Sequence, residues 1–325
     1  RSIVGGRVIS YWTPESGKRS KNSKIMTSRR DFIKQVGVAS LMLAVPSVVL
    51  SGKKKKNTRV VILHTSDVHS HIEPLAATDA RYANRGGFAR RAELIGRTRL
   101  ENEHVLLLDS GDVVQGTPYF NLYGGTPEME LMARMGYDAA TLGNHEFDKG
   151  MDHLAGLIKQ TSFPFINCNY DVSGTPLEGL LVPYKIFEKG NARIGVVGLG
   201  IDLSGLVSPT CHAGLKYLNP IEKGEETARY LKKEKDCDIV IALSHLGLES
   251  DKAKEDDLKV ATGTRSIDLI LGGHTHTFME EPLFVKNAAG KEVMIVHSGE
   301  FGVQISRIEL VIGGESKASM SGIKV

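Results

Sequence analysis

Residues 143–148 read Gly-Asn-His-Glu-Phe-Asp and come directly after a short apolar segment, residues 139–142. A helical pattern follows them. Asn144, His145 and Asp148 are therefore polar groups at the end of a predicted strand, and polar groups beside a core need partners. A metal ion is one partner that would use all three side chains. The stretch predicts a fold in which further ligands reach the same place.

The same pattern recurs along the chain, because apolar runs repeatedly end in a polar cluster. The runs are residues 60–63, 105–108, 139–142, 239–243 and 267–271. Continuous apolar runs of this length indicate strands that are buried on both faces. Open α/β sheets place their sites at the carboxyl ends of strands, where these polar clusters stand. The chain is therefore predicted to be an α/β protein with mixed sheets.

The residues between and after these runs predict helices, hairpins and a tail. Thr126 is a predicted N-cap with Pro127 at the first helical position and Gly136 at the end, and Asn219 opens another helix. Hairpins are predicted at residues 184–197 and 283–296, a strand at residues 304–312 and a polar tail at residues 313–325.

The chain has 325 residues, and its amino-terminal part reads as a targeting segment. Residues 28–34, Ser-Arg-Arg-Asp-Phe-Ile-Lys, resemble a twin-arginine export motif, and a mostly apolar run follows at residues 36–50. That run is shorter than the ~20 residues that span a bilayer. Residues 1–57 are therefore predicted to be an upstream extension and a signal peptide, with an amphipathic anchor as the alternative. Residues 58–325 form one predicted domain, exported to the periplasm and without a stable membrane span.

Charge and cysteine content exclude several classes of protein. The net charge of +3 comes partly from basic residues near the amino terminus, so charge gives no case for binding nucleic acid. The three cysteines are too few and too scattered for a disulfide scaffold or a cysteine zinc site.

The polar clusters together offer oxygen and nitrogen ligands without sulfur, a set that suits Zn, Mn or Fe. They contain Asp67, His69, Asp112, Asn144, His145, His245, His274 and His276. Asp67 and His69 are two residues apart, so on an extended backbone both side chains point the same way, and His274 and His276 repeat that spacing. These two pairs, together with Asp112, Asn144 and His245, make seven ligands, which is more than one ion can use. Two divalent transition-metal ions ~3.5–4 Å apart, sharing one carboxylate, would use them.

Five motifs in a fixed order carry a resemblance to a known family. D-x-H, G-D-x-x-Q-G at residues 111–116, G-N-H-E, S-H-L-G and G-G-H-T-H resemble the calcineurin-like metallophosphoesterases. Within them the chain is similar to the 5′-nucleotidase, 2′,3′-cyclic phosphodiesterase and UDP-sugar hydrolase family, over residues 58–312. The resemblance implies a four-layer α-β-β-α sandwich of the metallophosphatase type with two mixed sheets.

The resemblance also implies a role for each polar residue. It assigns the first metal to Asp67, His69 and His276, the second to Asn144, His245 and His274, and the bridge between them to Asp112. His145 then faces the scissile phosphate and assists catalysis, and Asp148 fixes its tautomer. Asp109, His64 and His71 are expected to support the site without binding metal.

The implied reaction is hydrolysis of a small-molecule phosphate ester, with nucleotides as the expected substrates and nucleotide catabolism as the expected role. A metal-bound hydroxide would attack phosphorus while His145 assists. Full-length relatives resemble two-domain proteins whose carboxyl-terminal domain holds the nucleoside, so a separate chain is an expected partner, unless the substrate is smaller. Two alternatives stay open: a thiosulfohydrolase of the sulfur-oxidation type, and a non-catalytic binding protein on the same fold.

Overall fold

Apolar runs of the sequence form two stacked β-sheets in the computed structural model, which describes residues 50–51, 57–250, 254–313 and 315–325. The predicted twin-arginine motif and most of the apolar run after it lie outside the described residues. The signal peptide and the division of the chain at residue 58 therefore stay predictions. Within the described part, no helix has the length and apolar character needed to cross a membrane.

The first sheet combines parallel and antiparallel strands, as predicted. In spatial order its described strands are β1 (Leu50–Ser51), β16 (Glu315–Lys324), β15 (Gln304–Ile312), β2 (Thr58–Thr65), β3 (Val105–Asp109), β4 (Ala139–Ala140), β5 (Phe165–Ile166) and β7 (Leu181–Val182). The strands from β2 to β7 pair in parallel, whereas β15 is antiparallel to both β2 and β16. Three of the apolar runs thus have their carboxyl ends on the same side of this sheet.

The second sheet carries both predicted hairpins at its edges. Its described order is β13 (Leu283–Lys286), β14 (Glu292–His297), β12 (Leu269–Gly272), β11 (Ile239–Ser244), β9 (Ala192–Leu199) and β8 (Tyr184–Lys189). The pairs β8–β9 and β13–β14 are antiparallel, and the inner strands are parallel. A separate small ribbon joins β6 (Tyr170–Asp171) to β10 (Lys216–Tyr217).

Helices cover the outer faces of the sheets. The α-helices of the described chain are α1 (Phe88–Glu101), α2 (Pro118–Tyr123), α3 (Thr126–Met135), α4 (Met151–Ile158), α5 (Pro220–Lys233) and α6 (Asp257–Gly263), with 3₁₀ turns at His145–Phe147 and Pro209–His212. Asn219 caps α5 as predicted, since its side chain accepts from the backbone N–H of Ile221 and Glu222. The N-cap of α3 is Gly125 and not Thr126, which is the first helical residue, while Gly136 ends the helix in a left-handed conformation.

Alternate residues of each strand enter different layers of the core. Val60 and Ile62 of β2 belong to the buried cluster that also contains Ile194 and Ile241 of the second sheet. Their neighbours Val61 and Leu63 belong to the cluster that contains the apolar faces of the helices. Both faces of the sheets are therefore buried, which explains the unbroken apolar runs. The predicted α/β architecture of four layers with mixed sheets is confirmed.

Residues 313–325 contradict the predicted polar tail. Residues Glu315–Lys324 form β16, which pairs with β15 from Gln304↔Lys324 to Val311↔Lys317. The alternation of apolar and polar residues covers only a few positions of β16. Ala318 and Met320 are its side chains that contact the core between the sheets. Small polar residues separate them and hide the alternation. The strand instead gains stability by pairing with the free edge of β15.

Candidate metal centre

The seven predicted ligands meet where strands of the two sheets end. Asp67 and His69 follow β2, Asp112 follows β3 and Asn144 follows β4, whereas the predicted ligands His245, His274 and His276 follow β11 and β12. Groups of side chains with ligand atoms within 4.8 Å of one another are Asp67, His69 and His276; Asp112, His245 and His274; and His69, Asp112 and His145. The first two are called the first and second ligand groups below. The fold therefore brings residues far apart in sequence to one place.

In the first ligand group, two imidazoles point at the same position. The Nε2 atoms of His69 and His276 are 2.9 Å apart, and Asp67 Oδ1 lies 3.6 Å from His276 Nε2. Asp67 is fully buried, and its Oδ2 has no hydrogen-bond partner among the described residues. A buried carboxylate oxygen without a partner is costly, and a cation is the group that would satisfy it.

In the second ligand group, His245 is fully buried and its ring is fixed by the backbone. Its Nδ1 donates to the Ser110 carbonyl at 2.6 Å, which leaves Nε2 directed at the site. That Nε2 lies 3.0 Å from Asp112 Oδ2 but lacks hydrogen-bond geometry. His274 Nδ1 is 3.1 Å from Asn144 Oδ1, so these two predicted ligands also converge. The oxygen and nitrogen donors and their unpartnered atoms fit a divalent transition-metal ion.

Burial sets the charge of the site in the absence of a cation. It raises the pKa of Asp67 to about 8 and lowers the pKa of His69 and of His274 to about 4. Burial also lowers the pKa of His245, but Asp112 counteracts it and the result is about 10. Metal ligands bind in their deprotonated forms, so a cation would displace protons from Asp67 and His245.

The backbone of the ligands departs from the extended conformation assumed from the sequence. Five of the seven predicted ligands have positive φ angles: Asp67 (52°), His69 (49°), Asp112 (53°), His274 (74°) and His276 (52°). The reasoning that residues two apart share a direction on a strand is therefore wrong here, although the side chains do meet. The backbone N–H of His69 donates to the Asp112 carbonyl, and the N–H of Phe301 donates to the Asp67 carbonyl. Such contacts hold a conformation that costs ~1–3 kcal/mol per residue.

The loops after β3 and β4 touch at a point where only glycine fits. A Cβ atom on Gly143 would lie 2.2 Å from Asp112 Oδ1, and one on Gly111 would lie 2.4 Å from the backbone nitrogen of Gly143. The N–H of His145 donates to the same Oδ1 at 2.8 Å. The glycine before Asn144 therefore allows the two ligand loops to pack in direct contact.

Glu146 is a residue of this site that the sequence reasoning missed. It is buried, and its carboxylate accepts three backbone N–H groups: those of Asp112 at 3.0 Å, Val113 at 2.8 Å and Gly143 at 2.7 Å. Burial and the charge of Asp112 raise its pKa. Glu146 thus ties the loop of Asp112 to the loop of Asn144. Its place inside the Gly-Asn-His-Glu motif was the available signal.

His145 and Asp148 form the predicted pair beside the ligand groups. Nδ1 of His145 lies 2.8 Å from Asp148 Oδ2. The side chain of His145 is 29% exposed whereas that of His69, with its ring centre 5.3 Å away, is 6% exposed. Burial lowers the pKa of His145, but the hydrogen bond to Asp148 raises it, and the net shift is upward. His145 therefore stands next to the ligands and remains partly exposed.

Three other polar residues near the site have defined contacts. Asp109 accepts from Thr65 Oγ1 at 2.6 Å and from the N–H of Gly111 at 2.8 Å. His64 lies between two hydroxyls, with Nε2 2.9 Å from Ser110 Oγ and Nδ1 2.8 Å from Ser298 Oγ. The ring of His71 packs on Phe301, with centres 4.2 Å apart.

Glu300 is a second residue that the sequence reasoning missed. Its Oε2 lies 2.7 Å from Nδ1 of His276, and its Oε1 lies 2.9 Å from Nη2 of Arg81. The motif at residues 298–302 contained Glu300, but nothing in the sequence indicated which ligand it meets.

The strand ends of the two sheets thus gather carboxylates and imidazoles around buried atoms that have no partner among the described residues. The profile of the calcineurin-like phosphoesterases matches residues 60–278. The chain belongs to the calcineurin-like phosphoesterase family.

Known proteins of this family resemble the chain over most of its length. A 5′-nucleotidase of Bos taurus is 33% identical over 276 residues, which cover 77% of this chain and 46% of the relative. A snake venom 5′-nucleotidase of Gloydius brevicauda is 31% identical, over 78% of this chain and 45% of the relative. A 5′-nucleotidase precursor from Thermus thermophilus has a solved structure that matches with a TM-score of 0.70 and 32% identity, over 82% of this chain and 55% of that one. The chain spans about half the length of the curated relatives it matches.

Proposed function

We propose that the protein is a dinuclear-metal phosphoesterase that hydrolyses small phosphate esters, with nucleotides as the preferred class. The position of Asp112 carries this proposal. Its Oδ2 lies 4.0 Å from His69 Nε2 of the first ligand group and 3.0 Å from His245 Nε2 of the second. A carboxylate between two sets of ligands is the arrangement that a pair of ions shares.

The proposed ligand assignment follows the two groups. Asp67, His69 and His276 hold the first ion, Asn144, His245 and His274 hold the second, and Asp112 contributes to both. The ions are Zn, Mn or Fe, because the donors are imidazoles, carboxylates and an amide oxygen. Bound divalent ions supply positive charge for the phosphate oxygens and an activated water.

The chain's own groups act on the substrate through His145. Asp148 accepts from Nδ1 of His145, which leaves Nε2 available to a substrate beside the ligand groups. The upward shift of its pKa favours the protonated ring, a form that can stabilise a phosphoryl oxygen or give a proton to the leaving oxygen. His145 is therefore proposed as a catalytic residue, and Asp148 as the residue that orients it.

The substrate class rests on similarity. The matched relatives are 5′-nucleotidases, and this chain covers about half of each. Nucleotide selectivity, a role in nucleotide catabolism and a separate chain that completes the substrate pocket are parts of this proposal. Export by a twin-arginine signal is another, supported by residues 28–34. Replacing Arg29 and Arg30 with Lys should retain the protein in the cytoplasm, whereas unchanged export would exclude that route.

A panel of substrates tests the function. The protein, loaded with Zn, Mn or Fe in turn, is assayed with AMP, UDP-glucose, 2′,3′-cyclic AMP and an aryl phosphate, and bound metal is counted. We expect two ions per chain and hydrolysis of at least one ester. When the panel is repeated with His145→Ala, the matched control is His104→Ala. His104 precedes β3, at the end of that strand opposite to the ligands. Fewer than two ions, or no hydrolysis by the loaded protein, would refute the proposal.

Both alternatives leave the phosphate esters intact in this assay, and the count of bound ions separates them. A thiosulfohydrolase of the sulfur-oxidation type would still bind two ions. The presence of His145 favours phosphate chemistry over it. A non-catalytic binding protein would bind fewer than two ions and hydrolyse none of the esters. All seven predicted ligands are present in the chain, which favours an active site over one that has decayed.

A further inference from the structure

The imidazole of His276 is held on its far side by a carboxylate. Its Nε2 points at the first ligand group, 2.9 Å from His69 Nε2, while its Nδ1 lies 2.7 Å from Oε2 of Glu300. When Nδ1 donates its proton to Glu300, the lone pair of Nε2 faces the site. A carboxylate behind a ligating imidazole fixes the ring and increases its basicity.

Glu300 has a further contact through its side chain, and the next residue is held through its backbone. Arg81 Nη2 lies 2.9 Å from its second oxygen, Oε1, and the Glu300 side chain is 7% exposed whereas that of Arg81 is 64% exposed. The next residue, Phe301, donates its backbone N–H to the Asp67 carbonyl at 2.7 Å. Glu300 thus stands in a short chain of contacts that runs from the protein surface at Arg81 to His276.

The other histidines of the two ligand groups lack such a partner. The Nδ1 of His245 donates to the neutral carbonyl of Ser110, and the Nδ1 of His69 has no hydrogen-bond partner among the described residues. Among the same described residues, no ion pair joins His274 to a carboxylate either. The support by a carboxylate from behind is therefore specific to His276, and so to the first ligand group.

We propose that Glu300 is a positioning residue for the first metal position, and that Arg81 adjusts the affinity of that position from the protein surface. The proposal rests on the two-metal function given above. It predicts an asymmetry: a change at Glu300 weakens the binding of one ion and leaves the binding of the other unaffected. That other ion is held by Asn144, His245, His274 and Asp112.

Metal binding tests the proposal without any measurement of catalysis. Metal-free protein is titrated with Co²⁺ and followed by visible absorption and calorimetry, which separate two binding events. We expect Glu300→Ala to weaken one event by ~10–100-fold and to leave the other unchanged. Arg81→Ala should weaken the same event by ~2–5-fold, the size of an exposed ion pair.

Three comparisons distinguish positioning from a general loss of structure. Glu300→Gln keeps an oxygen that accepts from Nδ1, so it should recover part of the affinity lost in Glu300→Ala. Glu309→Ala removes a carboxylate that is paired with Arg59 on the surface of the first sheet, and it should bind Co²⁺ like the wild type. Equal weakening of both events in Glu300→Ala, or no recovery in Glu300→Gln, would overturn the proposal.

The outcomes separate this proposal from the proposed function. Wild-type protein that binds fewer than two Co²⁺ ions refutes the two-metal function. Wild-type protein that binds two ions, together with an unchanged Glu300→Ala variant, refutes the role of Glu300 alone. If Glu300→Ala fails to fold, the exposed Arg81 carries the test, and unchanged Co²⁺ binding in Arg81→Ala then overturns the proposal.

Discussion

Removing the carboxylate of Glu146 should destabilise the whole protein, because three buried N–H groups depend on it. They belong to Asp112, Val113 and Gly143, at 3.0, 2.8 and 2.7 Å. A buried polar group left without a partner costs ~1–3 kcal/mol. Glu146→Ala should therefore lower the free energy of unfolding by at least ~3 kcal/mol, at the low end of that range for each group.

Glu146→Gln refines the magnitude. One oxygen of Glu146 accepts from both Asp112 and Gly143, and the other accepts from Val113. A glutamine can place its oxygen at the first position, and its NH₂ group then faces the N–H of Val113. One contact is lost, so the expected destabilisation is ~1–3 kcal/mol, smaller than for alanine.

Urea unfolding of the metal-free protein, followed by far-ultraviolet circular dichroism, measures both effects. The measurement belongs at pH 8, because burial and Asp112 raise the pKa of Glu146 and the carboxylate must be ionised. Glu130→Ala is the matched control, since Glu130 is an exposed partner of Arg134 and its loss should change stability by less than ~0.5 kcal/mol. A loss below ~1 kcal/mol in Glu146→Ala would refute the reasoning.

Three further predictions concern catalysis, acid stability and the last strand. His145→Ala should lose at least ~10²-fold in phosphate ester hydrolysis while it keeps its bound metal; loss of metal would show that His145 is a ligand. Burial, with a smaller effect of His297, lowers the pKa of His64 from 6.5 to about 3. Between these pH values the unfolded chain binds a proton at His64 and the folded chain does not. This group therefore removes ~1.4 kcal/mol of stability per pH unit as the pH falls from 6.5 towards 3, and His64→Gln should flatten that slope in urea unfolding between pH 6 and pH 4; an unaltered slope speaks against it. Deleting residues 315–325 leaves the edge of β15 unpaired and should lower the melting temperature and cause aggregation, and an unchanged melt would contradict this role.

The sequence predicted the architecture because its strands are buried on both faces. Apolar runs of the length of residues 239–243 indicate buried strands, and that run forms most of β11. The strand predicted at residues 304–312 has the same bounds as β15. The run at residues 139–142 is shorter as a strand, Ala139–Ala140, because Thr141 already belongs to the loop that leads to the site. Apolar content thus predicts which segments are strands, and side-chain requirements of the site decide where they end.

The sequence predicted residues that the structure brings together, and it missed the groups that hold them in place. Motif order identified residues that the structure brings together, since each motif follows a strand. Glu146 and Glu300 escaped because their partners are backbone groups or residues far away in sequence, and spacing carries no information about such contacts. The backbone of Asp67 and of His276 escaped for a related reason, because loop contacts and not local propensity hold it.

If the proposed ions bind, the left-handed backbone of five predicted ligands would link the amount of folded protein to the supply of metal. At the low end of the range, ~1 kcal/mol each, five such residues cost about as much as the ~5 kcal/mol of net stability at which many domains operate. A cation bound at this place would offset that cost, so copies that lack metal would unfold and reach proteases first. A shortage of metal in the cell would then appear as low abundance of the protein, before any loss of activity per molecule.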